Sequence, residues 1–318
     1  MRKKEIANGV AACVGAVVGA GFASGREIMA FFSRFGAYSW AGVVIAALVM
    51  GFLCLYIMRF AAASLREICE SRMGRWAKAG ETLFALLLVF TAASMLCAAG
   101  ELAALTMPAH HAYEISLIGT LGMGTLLIRR DLKALFMAGK LLFLLLVAAF
   151  VLCCFVTGEP IESTFTLKAL TGPVAYGAMN IALCVPILCE VGKGKKLVEC
   201  KRIALFTGVT LFALLALANA ALKNQAALVN EPLPVVQLLR AFGLFGFYLC
   251  AVVMYLAVFT TLLSCLRGLY QLSPWLCIAP LAAAFIGFER IVGGAYPLLG
   301  YACVGLMAMW QISFFRRR

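Results

Sequence analysis

The string Gly19-Ala20-Gly21-Phe22-Ala23-Ser24-Gly25 sets three glycines and a hydroxyl into the middle of an apolar run. Glycine weakens a helix, and an unwound stretch does two kinds of chemistry. Its freed carbonyls can hold a cation, and the restarted helix aims amide hydrogens at an anion. A second reading is close packing, because Gly15 and Gly19, then Gly21 and Gly25, each satisfy the G-x-x-x-G contact spacing. A dinucleotide-binding loop is excluded, since no strand precedes the string. Length favours a break: the run 6–35 as one helix would extend ~45 Å, against a hydrocarbon core of ~30 Å.

Other polar residues are buried in apolar runs, where each is a functional candidate. Glu27 follows the glycine string beside Arg26. It reads as a local ion pair with Arg26 or as a gating or substrate contact. Lys140 lies within an apolar run, with snorkelling to the interface as the plain alternative. A second candidate break contains Gly172-Pro173, then Tyr176 to Asn180, then Pro186. Asn180 carries a full amide that must find partners. Thr260, Thr261 and Ser264 share one helical face. Their oxygens suit a hard cation, or they bond back to their own helix carbonyls. Glu101, Glu190 and the pair His110-His111 read as groups near water.

The elements that must position these groups follow from composition. The 318 residues are 64% hydrophobic and 13% charged, with a mean hydropathy of +1.00. Soluble chains average roughly 45–50% apolar and about 25% charged, so a soluble globular protein is excluded. A disordered chain is excluded too. The net charge of +13 does not imply a nucleic-acid partner, because basic residues in a bilayer protein report orientation. The expected partners are the lipid bilayer and a small molecule; the residues do not define an oligomeric state. No cofactor is expected. The chain lacks H-E-x-x-H and paired aspartates, and Asp131 is its sole aspartate, so an enzyme is not expected. The 13 cysteines form no C-x-x-C pair and read as small hydrophobes, with Cys69 and Cys200 in polar connections.

Apolar runs bounded by charge, Pro or Gly predict ten spans, at 6–35, 38–65, 82–106, 113–128, 134–157, 171–190, 203–222, 243–266, 273–288 and 291–315. They form a single transmembrane domain, 1–318. With both termini cytoplasmic, only Arg34, Lys168, Lys223, Arg240 and Arg290 fall outside, and four times as many basic residues fall inside. The connection Lys223–Arg240 reads as a short helix lying over the outer face. Breaks in spans one and six point to a 5+5 inverted repeat, about 6–157 and 171–315, with a binding site at the midplane.

The string Gly19 to Ile28, followed by Phe31-Phe32 and Phe35-Gly36, resembles the signature of the YkvI-like bacterial membrane proteins. The resemblance extends over most of the chain, with Met95 to Gly100, Asn180 and Thr260-Thr261 as further matches. These proteins are grouped with the amino acid–polyamine–organocation superfamily, the LeuT-type transporters. The resemblance implies an all-α polytopic fold in the bacterial cytoplasmic (inner) membrane and secondary active transport by alternating access. It brings no established substrate; the superfamily suggests an amino acid or related solute. Gly19, Ala20, Gly21, Phe22, Ala23, Ser24, Gly25, Tyr176 and Asn180 are then the expected substrate-binding residues. The fold further implies a sodium site at Gly19, Phe22, Thr260 and Thr261, with Ser264 and Glu27 as further ion-coupling candidates. Some proton-coupled relatives carry a span-five lysine whose ammonium takes the sodium position, and Lys140 resembles it. The coupling ion is therefore H+ or Na+. A non-transporting receptor or accessory subunit on the same fold is the alternative.

Overall fold

The computed structural model describes residues 3–59, 65–107, 109–128 and 133–316, which contain helices and connections and no strand. The first half contains α1 (Lys3–Val17), α2 (Ala20–Ser24), α3 (Arg26–Phe31), α4 (Ser39–Met58), α5 (Leu65–Met73), α6 (Ala77–Thr106), α7 (Ala112–Leu127) and α8 (Lys133–Cys153). The second contains α9 (Lys168–Leu183), α10 (Val185–Gly192), α11 (Leu197–Leu222), α12 (Pro234–Leu239), α13 (Gly243–Leu272), α14 (Ala279–Ala284), α15 (Phe288–Arg290) and α16 (Tyr296–Arg316).

Among the described residues, five stretches are long and apolar enough to cross a bilayer: Ser33–Met58, Gly74–Thr106, Leu197–Leu222, Pro234–Leu272 and Phe288–Trp310. The pair α9–α10, bent by 65°, makes a sixth. The remaining expected spans are shorter or interrupted. The helix α7 and the stretch Pro274–Ala284 are apolar but short, and the first run is broken into α1, α2 and α3. The protein is an all-α polytopic membrane protein.

The bundle is knit by α4 against α9 and α11, by α6 against α7 and α13, and by α16 against α9. In a membrane such contacts rest on close packing, so small residues collect at them. A Cβ on Gly51 of α4 would lie 3.6 Å from the Gly208 Cα of α11. A Cβ on Gly300 of α16 would lie 2.7 Å from the Ala175 carbonyl of α9.

Two expectations need correction. Cys69 and Cys200 do not sit in open polar connections. Each lies on the inward face of an amphipathic helix, buried at 0% and 2% exposure, and burial pushes the Cys69 thiol up to about 11. The connection Lys223–Arg240 does not merely lie over the outer face. Its helix α12 is buried at Pro234, Val235, Val236, Leu238 and Leu239 and packs on α2, α8 and α13. Five apolar residues in six leave that segment no solvent face.

Candidate functional site

The first span breaks twice. Helix α1 ends at Val17, Val18 and Gly19 are non-helical, and α2 runs one turn before Gly25 turns the chain at φ 76°. Left-handed backbone of this kind favours glycine. Ser24 Oγ donates to the Gly21 carbonyl at 2.9 Å and accepts the Arg26 N–H at 3.1 Å. The serine therefore takes the first amide of α3, so the Arg26 amide is not offered to an anion as the sequence suggested. The glycines do not form one continuous packing stripe, although Gly19 and Gly25 each approach a neighbouring helix. A Cβ on Gly15 would meet nothing within 4 Å, and one on Gly21 would collide with the Glu27 carboxyl.

Gly19 faces span eight: a Cβ there would lie 3.4 Å from Thr261 Oγ1. Thr260 and Thr261 both donate to the Ala257 carbonyl, at 2.9 and 3.0 Å, and Ser264 donates to the Thr260 carbonyl at 3.1 Å. The plain back-bonding reading thus holds for all three hydroxyls, while Thr261 also lies against the break. The Gly19 and Phe22 carbonyls accept the Ala23 and Gly25 amides at 3.0 and 3.1 Å. Each keeps a second lone pair. Phe22 meets Phe150 of α8 edge-on, with centroids 5.6 Å apart.

A cavity of about 1690 Å³ runs beside the break. Gly19 and Ala23 line one wall, Thr261 and Ser264 another, and Thr91 a third, with Asn8 near one end. Tyr176 and Asn180 are not among its lining residues. Tyr176 is fully buried against Phe31 and Phe32, with centroids 5.3 and 5.2 Å away. Asn180 donates its amide to the Tyr176 carbonyl at 3.0 Å. Span six kinks at Cys184, just before Pro186 and one turn beyond Asn180. The side chains of Ala20 and Lys140 lie outside the described residues; the Lys140 backbone continues α8.

Arg26 and Glu27 do not pair with each other. Arg26 Nη1 donates to the carbonyls of Val229 at 2.6 Å and Glu231 at 3.3 Å, and Nη2 reaches Glu289 at 3.6 Å. Arg26 thereby fastens the α3 end of the break to the segment that precedes α12. The reason is direction. At the start of α3, Arg26 points outward while Glu27 turns inward over Gly21.

Sequence reasoning missed several buried polar groups. Asn219 of α11 accepts from Ser33 at 2.8 Å and donates to Ser39 at 2.9 Å. The rule that picked out Asn180 applies to it equally. Thr91 and Ser94 of α6, Tyr176 of α9 and Tyr296 of α16 are buried with hydroxyls that find no partner beyond one another and Glu27. Nothing in their spacing connects them. By contrast Glu190, His110 and His111 are exposed as expected.

Arg26 supplies a prediction. Glu289 is 73% exposed at its side chain, so that ion pair contributes only about 0–1 kcal/mol. Glu289→Gln should therefore leave outside labelling of a cysteine placed at Ser24 unchanged. Arg26→Ala, which also removes the carbonyl bonds, should raise that labelling several-fold. Equal labelling in both variants would show that Arg26 fastens nothing.

No family model matches the chain. The uncharacterized membrane protein YkvI of Bacillus subtilis (strain 168) is 26% identical over 325 residues, covering 92% of each chain. The uncharacterized protein YyaD of the same organism is 23% identical over 310 residues, covering 90% of each. Among solved structures, the inward-facing conformation of Mhp1 matches with a TM-score of 0.70 at 13% identity. That match covers 97% of this chain and 75% of Mhp1, a LeuT-fold transporter. At that identity the likeness concerns the fold. The chain is thus similar to the membrane protein YkvI over nearly its whole length and shares the LeuT-type fold of Mhp1.

Proposed function

We propose that the protein is a secondary active transporter of a small organic solute, an amino acid or a related compound, working by alternating access. The observation that carries the reading is the doubly broken span one, with Gly19 against Thr261 of span eight and a second broken span at α9–α10. Broken spans at the bilayer midplane expose backbone to solute and ion while the surrounding helices rock as a unit. The solute would enter the cavity beside Gly19 and Ala23. The Arg26 contacts with Val229 and Glu231 would hold the outer side shut.

The coupling ion is H+ or Na+, and the two make opposite demands. A sodium ion would sit between the Gly19 and Phe22 carbonyls and Thr260 and Thr261, a hard-oxygen shell of the kind it requires. An ammonium at Lys140 would satisfy the same groups and couple to a pH gradient. A thermal-shift screen of the purified protein against amino acids, amines and nucleobases, with and without sodium, identifies ligands through the stability they add. Under sodium coupling, ligand stabilisation requires sodium, survives Lys140→Met and falls at least tenfold in apparent affinity in Thr261→Val. Under proton coupling, sodium is ignored and Lys140→Met loses pH-driven accumulation. Ligand stabilisation indifferent to sodium, to pH and to both variants would leave coupled transport without support and favour a receptor on the same fold.

A further inference from the structure

The interior holds a second polar cluster, built around Glu27 rather than around Thr260 and Thr261. Glu27, 7% exposed, lays its carboxyl against Gly21, in the space a side chain there would fill. The Tyr176 hydroxyl faces that carboxyl, and the Tyr296 hydroxyl lies within electrostatic reach of it and beside Ser94 and Thr91. These groups come from α3, α6, α9 and α16, four elements distant in sequence. A π-helical turn, Ile291–Ala295, delivers Tyr296 to the cluster. Such turns occur frequently at functional sites.

Two features need a common explanation. Four hydroxyls, each at most 5% exposed by residue, converge on one another and on the Glu27 carboxyl with no partner beyond that group. The Glu27 carboxyl also sits out of water, and among the described residues no cation is paired with it. We propose that Glu27, Tyr176, Tyr296, Ser94 and Thr91 form the seat of a monovalent cationic group, either the ammonium of an organic amine or an alkali ion. The donor set is entirely oxygen and carries one negative charge, which suits a hard cation or an ammonium. An anion would face the Glu27 carboxylate with no basic side chain among the described residues to hold it. The Arg26 amide that could have helped is already bonded to Ser24. Thr91 borders both the cavity and this cluster, and so marks the way in. The seat deepens the transport reading and rests on it, since it makes the solute or its co-ion cationic.

The test is thermal stabilisation of the purified full-length protein by methylammonium, sodium and potassium at constant ionic strength made up with choline, beside acetamide and acetate. The expected result is stabilisation by one or more of the cations and by neither acetamide nor acetate. Glu27→Gln should weaken it at least tenfold, Tyr296→Phe and Ser94→Ala several-fold, and Glu162→Gln in the exposed loop not at all. Tyr296→Phe and Ser94→Ala keep the packing, so they decide the matter if Glu27→Gln fails to fold. Methylammonium acting alone identifies an amine seat, and sodium or potassium acting alone an alkali-ion seat. No response to any cation, an equal response to acetamide or acetate, or a cation response that survives Glu27→Gln would overturn the proposal. Uptake of an uncharged or anionic solute that persists in Glu27→Gln would overturn the seat and leave transport standing. A cation response lost in Glu27→Gln, with no solute flux under any gradient, would keep the seat and remove transport.

Discussion

Gly25→Ala should lower the thermal unfolding midpoint of the detergent-purified protein more than any other single methyl added to span one. The residue sits at φ 76°, and its Cβ would lie 2.8 Å from Val235 Cγ2 and 3.0 Å from Leu222 Cδ1. Left-handed backbone costs a non-glycine residue roughly 1–2 kcal/mol. Overpacking a filled site typically adds about 1–3 kcal/mol. Helix α12, whose Val235 meets the new methyl, packs over the break, so the variant should also loosen the outer side. Gly15→Ala is the matched control. It lies within α1 with nothing within 4 Å of the new Cβ, and alanine is favoured there by about 0.5–1 kcal/mol. Equal midpoints for the two variants would mean that Gly25 is not the turn described.

Gly21→Ala should reduce ligand-induced stabilisation at least tenfold while the fold survives. As an expected substrate-binding residue, Gly21 would lose ligand because a side chain fills the ligand's space, but the structure gives another cause. That space already holds the Glu27 carboxyl, so the methyl evicts a carboxylate. The two residues should then behave as one unit, with non-additive effects. The double variant Gly21→Ala/Glu27→Gln should respond to ligand no worse than Glu27→Gln alone. Additive losses would show that Gly21 contacts the ligand independently of Glu27.

These two glycines also show what could be read from the chain. A run too long for one helix, with glycines at its centre, has few solutions, so the break in span one was legible. The position of each kink was not. Gly25 and the Val18-Gly19 gap divide the string, and span six bends at Cys184 after Tyr176 and Asn180. The proximity of Gly19 and Thr261 followed from the resemblance, because spacing alone cannot set one helix against another. Asn180 was singled out as an amide needing partners, and it found one on its own helix four residues back. Neutral hydroxyls such as Ser94 and Tyr296 give no signal in an apolar run, since their meaning comes from neighbours on distant helices. Arg26 paired with Glu289 near the other end of the chain rather than with the adjacent Glu27, a choice set by which way each side chain leaves α3.

Reconstituted flux decides whether the protein is a coupled transporter. Proteoliposomes holding the full chain would be given the solute that most stabilises the protein, under imposed sodium gradients, pH gradients, both and neither. Coupled transport gives accumulation against the solute's own gradient that requires one of the two ion gradients and is abolished by Gly21→Ala. Saturable binding of that solute without flux under any gradient would contradict transport and identify a receptor built on a transporter fold.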